Sequence, residues 1–246
     1  STLMRSSAAS DVYKRQFFLP LLENVGFGRA NNEGIKIAKG KNIFLLNPDT
    51  ILLNNAVKIL SEFLDNHINV AICGGNLYTR ELEPIHSYLM YLPSLYSEVD
   101  QLFGERLSFR RYGNNLFFNH TEKPLNVGYV TGADMMIRKS VLDEAGYFDP
   151  DFFMYFEETE LTFRIRKMGY DVMSVPDARI IHLEGQSVQL KEYRENMFLQ
   201  SRRLYLRKTS RSRIIFLLCQ IIYGINALIH VVYFSSFRKE SELLKI

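Results

Sequence analysis

Asn47 and Asp49 flank Pro48 directly after the apolar run Phe44, Leu45, Leu46. That run reads as the end of a buried strand, so an amide and a carboxylate stand at its tip. Both offer hard oxygen donors, suited to Mg²⁺ or Mn²⁺ shared with a diphosphate. Pro48 fixes the bend between them. The same four residues, Asn47 to Thr50, also make a good β-turn, and on these residues alone both meanings stay open. A second group is Glu157, Glu158 and Glu160, crowded at a helix start behind the aromatic run of residues 152–156. Acids in a first helical turn are favoured by the helix dipole. A carboxylate against aromatic walls also acquires the raised pKa of a general base. His182 closes the run Arg179-Ile180-Ile181; a lone histidine after a strand is either a structural residue or a ligand.

Alternating elements must position these groups. Residues 32–40 have helical spacing at Ile35 and Ala38 and stop on Gly40, a C-cap type. A short buried strand follows over 41–47. Residues 54–67 form an amphipathic helix with Val57, Leu60 and Leu64 on its core face. A second buried strand covers 70–78. Residues 84–124, rich in Tyr, Phe and Asn, show no clear period and read as an irregular insertion or substrate-facing lobe. Residues 127–146 read as strand then helix, 156–170 as a helix with Leu161, Ile165 and Met168 inward and a Glu160–Arg164 pair. Residues 171–185 bring one or two strands. The pattern predicts an α/β domain on a mostly parallel sheet with helices on both faces.

Composition narrows the class further. The chain has 246 residues, 23% of them charged, and a net charge of +3, too small to argue for nucleic acid. Cys73 and Cys219 stand far apart, which suits a reducing compartment and no cysteine metal site. Residues 1–16 lack the apolar core of a signal peptide and resemble a translated adaptor or a disordered tail. Native sequence is expected to begin near Phe17. Near the other end, Arg202, Arg203, Arg207, Lys208, Arg211 and Arg213 precede residues 214–234, which contain no Asp, Glu, Lys or Arg. That stretch is long enough to span a bilayer or to lie in its interface, anchored by the basic run. The alternative is a buried helix packed on the domain. The expected division is therefore 1–16, 17–208 and 209–246.

Three separated stretches, over residues 23–50, 131–170 and 180–187, closely resemble the family-2 glycosyltransferases, nearest the rhamnosyltransferase-like members that build bacterial surface polysaccharides. The resemblance covers about residues 22–208. It implies a GT-A fold, a nucleotide-sugar donor, a divalent metal, Mg²⁺ or Mn²⁺, and inversion at the anomeric carbon. Asp49 matches the metal-binding acid of the family's Asp-x-Asp motif, with Asn47 in place of its first carboxylate. Glu158 matches the general base, one methylene longer than the commoner Asp. His182 matches a position that completes metal or diphosphate binding. Gly26, Gly28, Arg29 and Asn32 match the segment near the nucleotide, and Gly132, Ala133, Asp134 and Glu157 the region beside donor and acceptor. The family likeness points first to deoxythymidine-diphosphate rhamnose as donor and to a saccharide or lipid-linked saccharide as acceptor. It implies an enzyme at the cytoplasmic face of a bacterial membrane, and further N-terminal strands ahead of Phe17. Two rivals remain: a non-catalytic membrane-associated scaffold, and a nucleotidyltransferase, which also uses strand-end acids with Mg²⁺.

Overall fold

The computed structural model describes residues 16–183 and 191–243. The adaptor-like start, through Arg15, and residues 184–187 of the third motif lie outside the described residues.

Helix α1 (Phe27–Ile37) leads into strand β1 (Asn42–Phe44). The chain turns at Pro48–Asp49 into β2 (Thr50–Leu52), then forms α2 (Ala56–Asn66) and the long strand β3 (Val70–Tyr78). Helix α2 buries Ala56, Leu60 and Leu64, each four residues from the next. Val57, expected on that face, is 40% exposed; the apolar stripe is turned by one residue, with Ala56 in its place. Strand β3 is buried along nearly its whole length, as a central strand covered on both faces must be.

The 84–124 stretch is more regular than its sequence suggests. It holds β4 (Tyr88–Leu89), α3 (Leu95–Leu102), α4 (Arg106–Tyr112) and a 3₁₀ turn over Gly113–Leu116. Strands β5 (Leu125–Asn126), β6 (Tyr129–Val130) and β7 (Met136–Arg138) follow, then α5 (Lys139–Ala145) and α6 (Glu157–Lys167). Strand β8 (Asp171–His182) completes the sheet, and α7 (Lys191–Thr209) and α8 (Arg213–Leu243) close the described chain. The expected boundary at residue 208 falls at the end of α7.

The main sheet runs β1-β7-β3-β8-β2, with β5 also paired to β8. It is mixed, not mostly parallel: among the described strands only β3 and β8 run parallel. The reason lies in the connections. Strand β7 enters between β1 and β3 through a short loop after β6, with no crossover helix to reverse its direction, and β2 returns from a tight turn. Two apolar clusters fill the domain. One joins β1, β3 and β7 to α1, α5 and α6 through Ile35, Ile137, Leu142, Phe148 and Leu161. The other seats α2 on β3 and β8 through Leu60, Leu64, Leu77 and Ile180.

Helix α8 is long and apolar enough over Arg213–Val231 to cross a membrane, and only 6% of that window is buried inside the protein. The alternative of a buried core helix is therefore set aside. Its first turns do touch the domain, where Cys219, Ile215 and Phe216 join Phe152, Tyr205 and Leu206.

Candidate active site

The carboxyl ends of β1 and β8 point to the same edge of the sheet, where open α/β sheets gather ligands, and the turn after β1 carries Asn47 and Asp49 to the start of β2, which pairs with the end of β8. The register sets Thr50 opposite His182. Thr50 also donates its hydroxyl to the Asn47 carbonyl (2.7 Å), and the Leu183 N–H donates to the Asp49 carbonyl (2.9 Å). These bonds bring three predicted side chains together. His182 Nε2 is 3.4 Å from Asp49 Oδ1 and 3.4 Å from Asn47 Nδ2. All three side chains are half-buried, so they are shielded and still reachable.

A carboxylate, an amide oxygen and an imidazole fit part of a hard divalent shell. No group of three His, Cys, Asp or Glu capable of holding a metal forms among the described residues. The donor set is thus suited to an ion that takes its remaining oxygens from a bound diphosphate and water.

The loop of residues 131–134 ties this cluster to the acids of α6. The Asn47 N–H donates to the Ala133 carbonyl (2.9 Å). A Cβ on the neighbouring Gly132 would stand 3.9 Å from the Glu158 Cβ. Asn47 and Glu158 therefore border the two sides of one loop. Asp134 takes no solvent-facing position: it is fully buried, and its Oδ2 accepts the Gly75 N–H at 2.6 Å. Its Oδ1 has no partner, and burial pushes the carboxyl up to about 7. Asp134 anchors the loop on β3.

Helix α6 starts under backbone constraint. Tyr155 and Phe156, immediately before Glu157, have φ of 70° and 66°, in the left-handed region that bulky residues avoid. Each costs roughly 1–3 kcal/mol, and such geometry concentrates at functional sites. Glu157 is 4% exposed and packs by Gly28. Burial, then the charge of Glu158, pushes Glu157 up to about 8, so it keeps its proton at neutral pH. Glu158 is half-buried; burial raises it too, while the Thr159 hydroxyl donates to its Oε1 (3.4 Å).

Glu158 opens onto a cavity of about 450 Å³, whose walls include Tyr129, Tyr155, Phe198, Arg202 and Tyr223. Sequence reasoning placed none of these five in a cavity; it met Arg202 only as part of the basic run and Tyr155 only within the aromatic run before α6. Their signal is absent because they come from four distant parts of the chain.

The glycine-rich start of α1 is used internally. Gly26 has φ of 86°, and a Cβ there would lie 2.1 Å from the Phe153 carbonyl oxygen. Arg29 Nε donates to the Pro150 carbonyl (2.7 Å). Asn32 pairs twice with Phe148, donating to its carbonyl (2.8 Å) and accepting its N–H (2.9 Å). These residues brace the 148–153 segment that leads into α6: the Asn32 amide is bonded to backbone through both its oxygen and its nitrogen, and exposed Arg29 is bonded to backbone through its Nε.

A β-sheet edge bearing a carboxylate–amide–imidazole cluster, joined by one loop to a helix-borne acid above a cavity, defines a GT-A-type domain. Residues 17–202 match the model of Glycosyltransferase like family 2, and the chain belongs to that family. It is similar to the low-salt glycan biosynthesis hexosyltransferase Agl10 of Haloferax volcanii, 25% identical over 76% of this chain and 58% of the relative. It is also similar to an N-acetylglucosaminyl-diphospho-decaprenol L-rhamnosyltransferase of Mycobacterium tuberculosis, 34% identical over 27% of this chain and 21% of the relative. Among solved structures, GalNAc-T7 with UDP, GalNAc and Mn²⁺ superposes with a TM-score of 0.54 at 16% identity, covering 75% of this chain and 35% of that one. That last likeness shows the fold. The chain thus spans between about a fifth and three-fifths of the length of these proteins.

Proposed function

We propose that the domain transfers a sugar from a nucleoside-diphosphate donor to a saccharide hydroxyl, with inversion, in the synthesis of a cell-surface glycan. The observation that carries this reading is the shared loop: Asn47 on one side of it, with Asp49 two residues on, and Glu158 on the other. Asp49, with Asn47 and His182, would hold a Mg²⁺ or Mn²⁺ ion, which when bound neutralises charge on a departing diphosphate. Glu158 takes the proton of the attacking hydroxyl, from within the cavity that receives the acceptor. Help of that kind is worth about 10²–10⁴-fold. Glu157, protonated beside it, adds no second negative charge to the wall. The aromatic walls exclude water, which favours transfer over hydrolysis of the donor.

Rhamnose is the donor sugar proposed, supported by the rhamnosyltransferase relative. A lipid-linked acceptor at the cytoplasmic side of a membrane fits the exposed apolar surface of α8. The basic run before it is partly spent inside the protein. Arg202 pairs with Glu98, and Lys208 with Asp149 and Asp151, which leaves Arg203, Arg207, Arg211 and Arg213 as the residues proposed to meet anionic headgroups. The test is a panel of nucleotide sugars with Mn²⁺ and a saccharide acceptor. Nucleoside diphosphate released together with a glycosylated product supports the reading. Pyrophosphate released from a nucleoside triphosphate would replace it with a nucleotidyltransferase.

A further inference from the structure

Helix α8 contributes one large side chain to the cavity of Glu158, and that side chain is held by a buried charge pair. Tyr223 lines the cavity. The Arg202 guanidinium lies over its ring, 4.0 Å from the centroid. Arg202 in turn pairs with Glu98 of α3, and the two side chains are 7% and 3% exposed. Three elements, α3, α7 and α8, therefore meet at one ion pair in the cavity wall. A buried ion pair adds little net stability over apolar residues of the same size, so stability alone does not account for this one. It does fix position: one face of the Tyr223 ring is covered by a guanidinium that is itself buried and paired with Glu98.

We propose that Tyr223, set in place by Arg202 and Glu98, is a stacking platform for the sugar ring of the acceptor, so that α8 completes the acceptor half of the site. This rests on the assignment of the cavity to the acceptor. The chemistry is that of pyranose recognition. Aromatic rings present flat apolar faces to the C–H face of a sugar, and Tyr155 and Phe198, packed edge to face at 5.8 Å, continue the same wall. The ligand class is a pyranose carried on an apolar chain, because beyond Tyr223 the helix exposes Ile225, Leu228 and Ile229. Arg202 and Glu98 are positioning residues; Tyr223 is the contact.

Calorimetric titration of the chain with octyl N-acetylglucosaminide, alongside thermal melting, tests this. Tyr223→Leu, which keeps an apolar side chain on the helix, weakens glycoside binding by roughly five- to tenfold, the scale of one aromatic contact. Tyr223→Phe, which keeps the ring, binds within about twofold of wild type by the same scale. The paired change Glu98→Gln with Arg202→Met removes both charges together and weakens binding in the same direction with little change in melting temperature. Wild-type affinity in Tyr223→Leu overturns the inference and leaves the cavity assignment standing. No glycoside binding by the wild-type chain overturns the cavity assignment, and the platform with it.

Discussion

Replacing Asp134 by Asn isolates the cost of a single buried carboxyl beneath the loop that joins the two halves of the site. In the folded chain this group is pushed from an ordinary 3.8 up to about 7, by burial opposed only by the Gly75 N–H. Each pH unit between those two values is worth about 1.36 kcal/mol. The sign follows from proton counting. Between pH 4 and 7 the folded chain holds a proton that the unfolded chain has released, so stability falls as pH rises. The contribution is fully present below pH 4 and is lost by pH 7, a total of roughly 4 kcal/mol. Asn is close in shape, stays neutral, and its side-chain oxygen takes the same Gly75 N–H. Asp134→Asn is therefore close to wild type in stability near pH 4 and more stable by several kcal/mol at pH 8. The assay is urea unfolding followed by circular dichroism at pH 5, 6, 7 and 8 on both chains, reading the difference in midpoint. Taking the difference cancels the other groups that titrate there, Glu157 among them. A difference that stays constant from pH 5 to pH 8 refutes the reasoning.

Gly26→Ala sets a Cβ 2.1 Å from the Phe153 carbonyl at a φ of 86°; backbone strain of about 1–2 kcal/mol and the loss of the Phe27–Phe153 hydrogen bond give roughly 2–3 kcal/mol of destabilisation, read by urea unfolding. Arg202→Met alone strands the Glu98 charge at 3% exposure and costs about 3–5 kcal/mol, whereas the pair Glu98→Gln with Arg202→Met costs far less; a thermodynamic cycle over the three variants measures the difference. Glu158 must lose its proton to act as a base, and burial raises its pKa, so transfer rate falls with falling pH from a midpoint above the ordinary carboxylate range, seen in a pH profile of turnover.

Strand β3 and the helices carrying Leu60 and Leu161 were legible because they are apolar on a regular period. Helix α3 was not, and the reason is its core face: Ser97, Glu98 and Asp100 are buried there, so the period is inverted. Each of the two acids is satisfied by a partner that no local pattern announces. Glu98 meets Arg202 in α7, and Asp100 accepts the N–H groups of Leu107 and Ser108. Strand direction was equally hidden, since an apolar run reads the same whichever way its neighbours point. In the site, residues 47, 49, 158 and 182 offered donor and acid types whose turn, helix-dipole and structural meanings stayed open on the sequence alone; what the sequence hid is that 47, 49 and 182 meet in space. The roles of Arg29 and Asn32 did not, because their partners at 148 and 150 lie more than a hundred residues away. Tyr223 came from a helix whose sequence signals only apolarity.

The central claim is that the strand-end cluster of Asp49 and the helix acid Glu158 serve one reaction. It is tested most directly by following labelled sugar from a nucleotide-sugar donor to a saccharide acceptor, with Mn²⁺ present, in the wild-type chain, Asp49→Ala and Glu158→Gln. The account predicts that Glu158→Gln loses about 10²–10⁴-fold in transfer while still binding donor with Mn²⁺, and that Asp49→Ala loses the Mn²⁺-dependent binding itself. Transfer near the wild-type rate in either variant would contradict it.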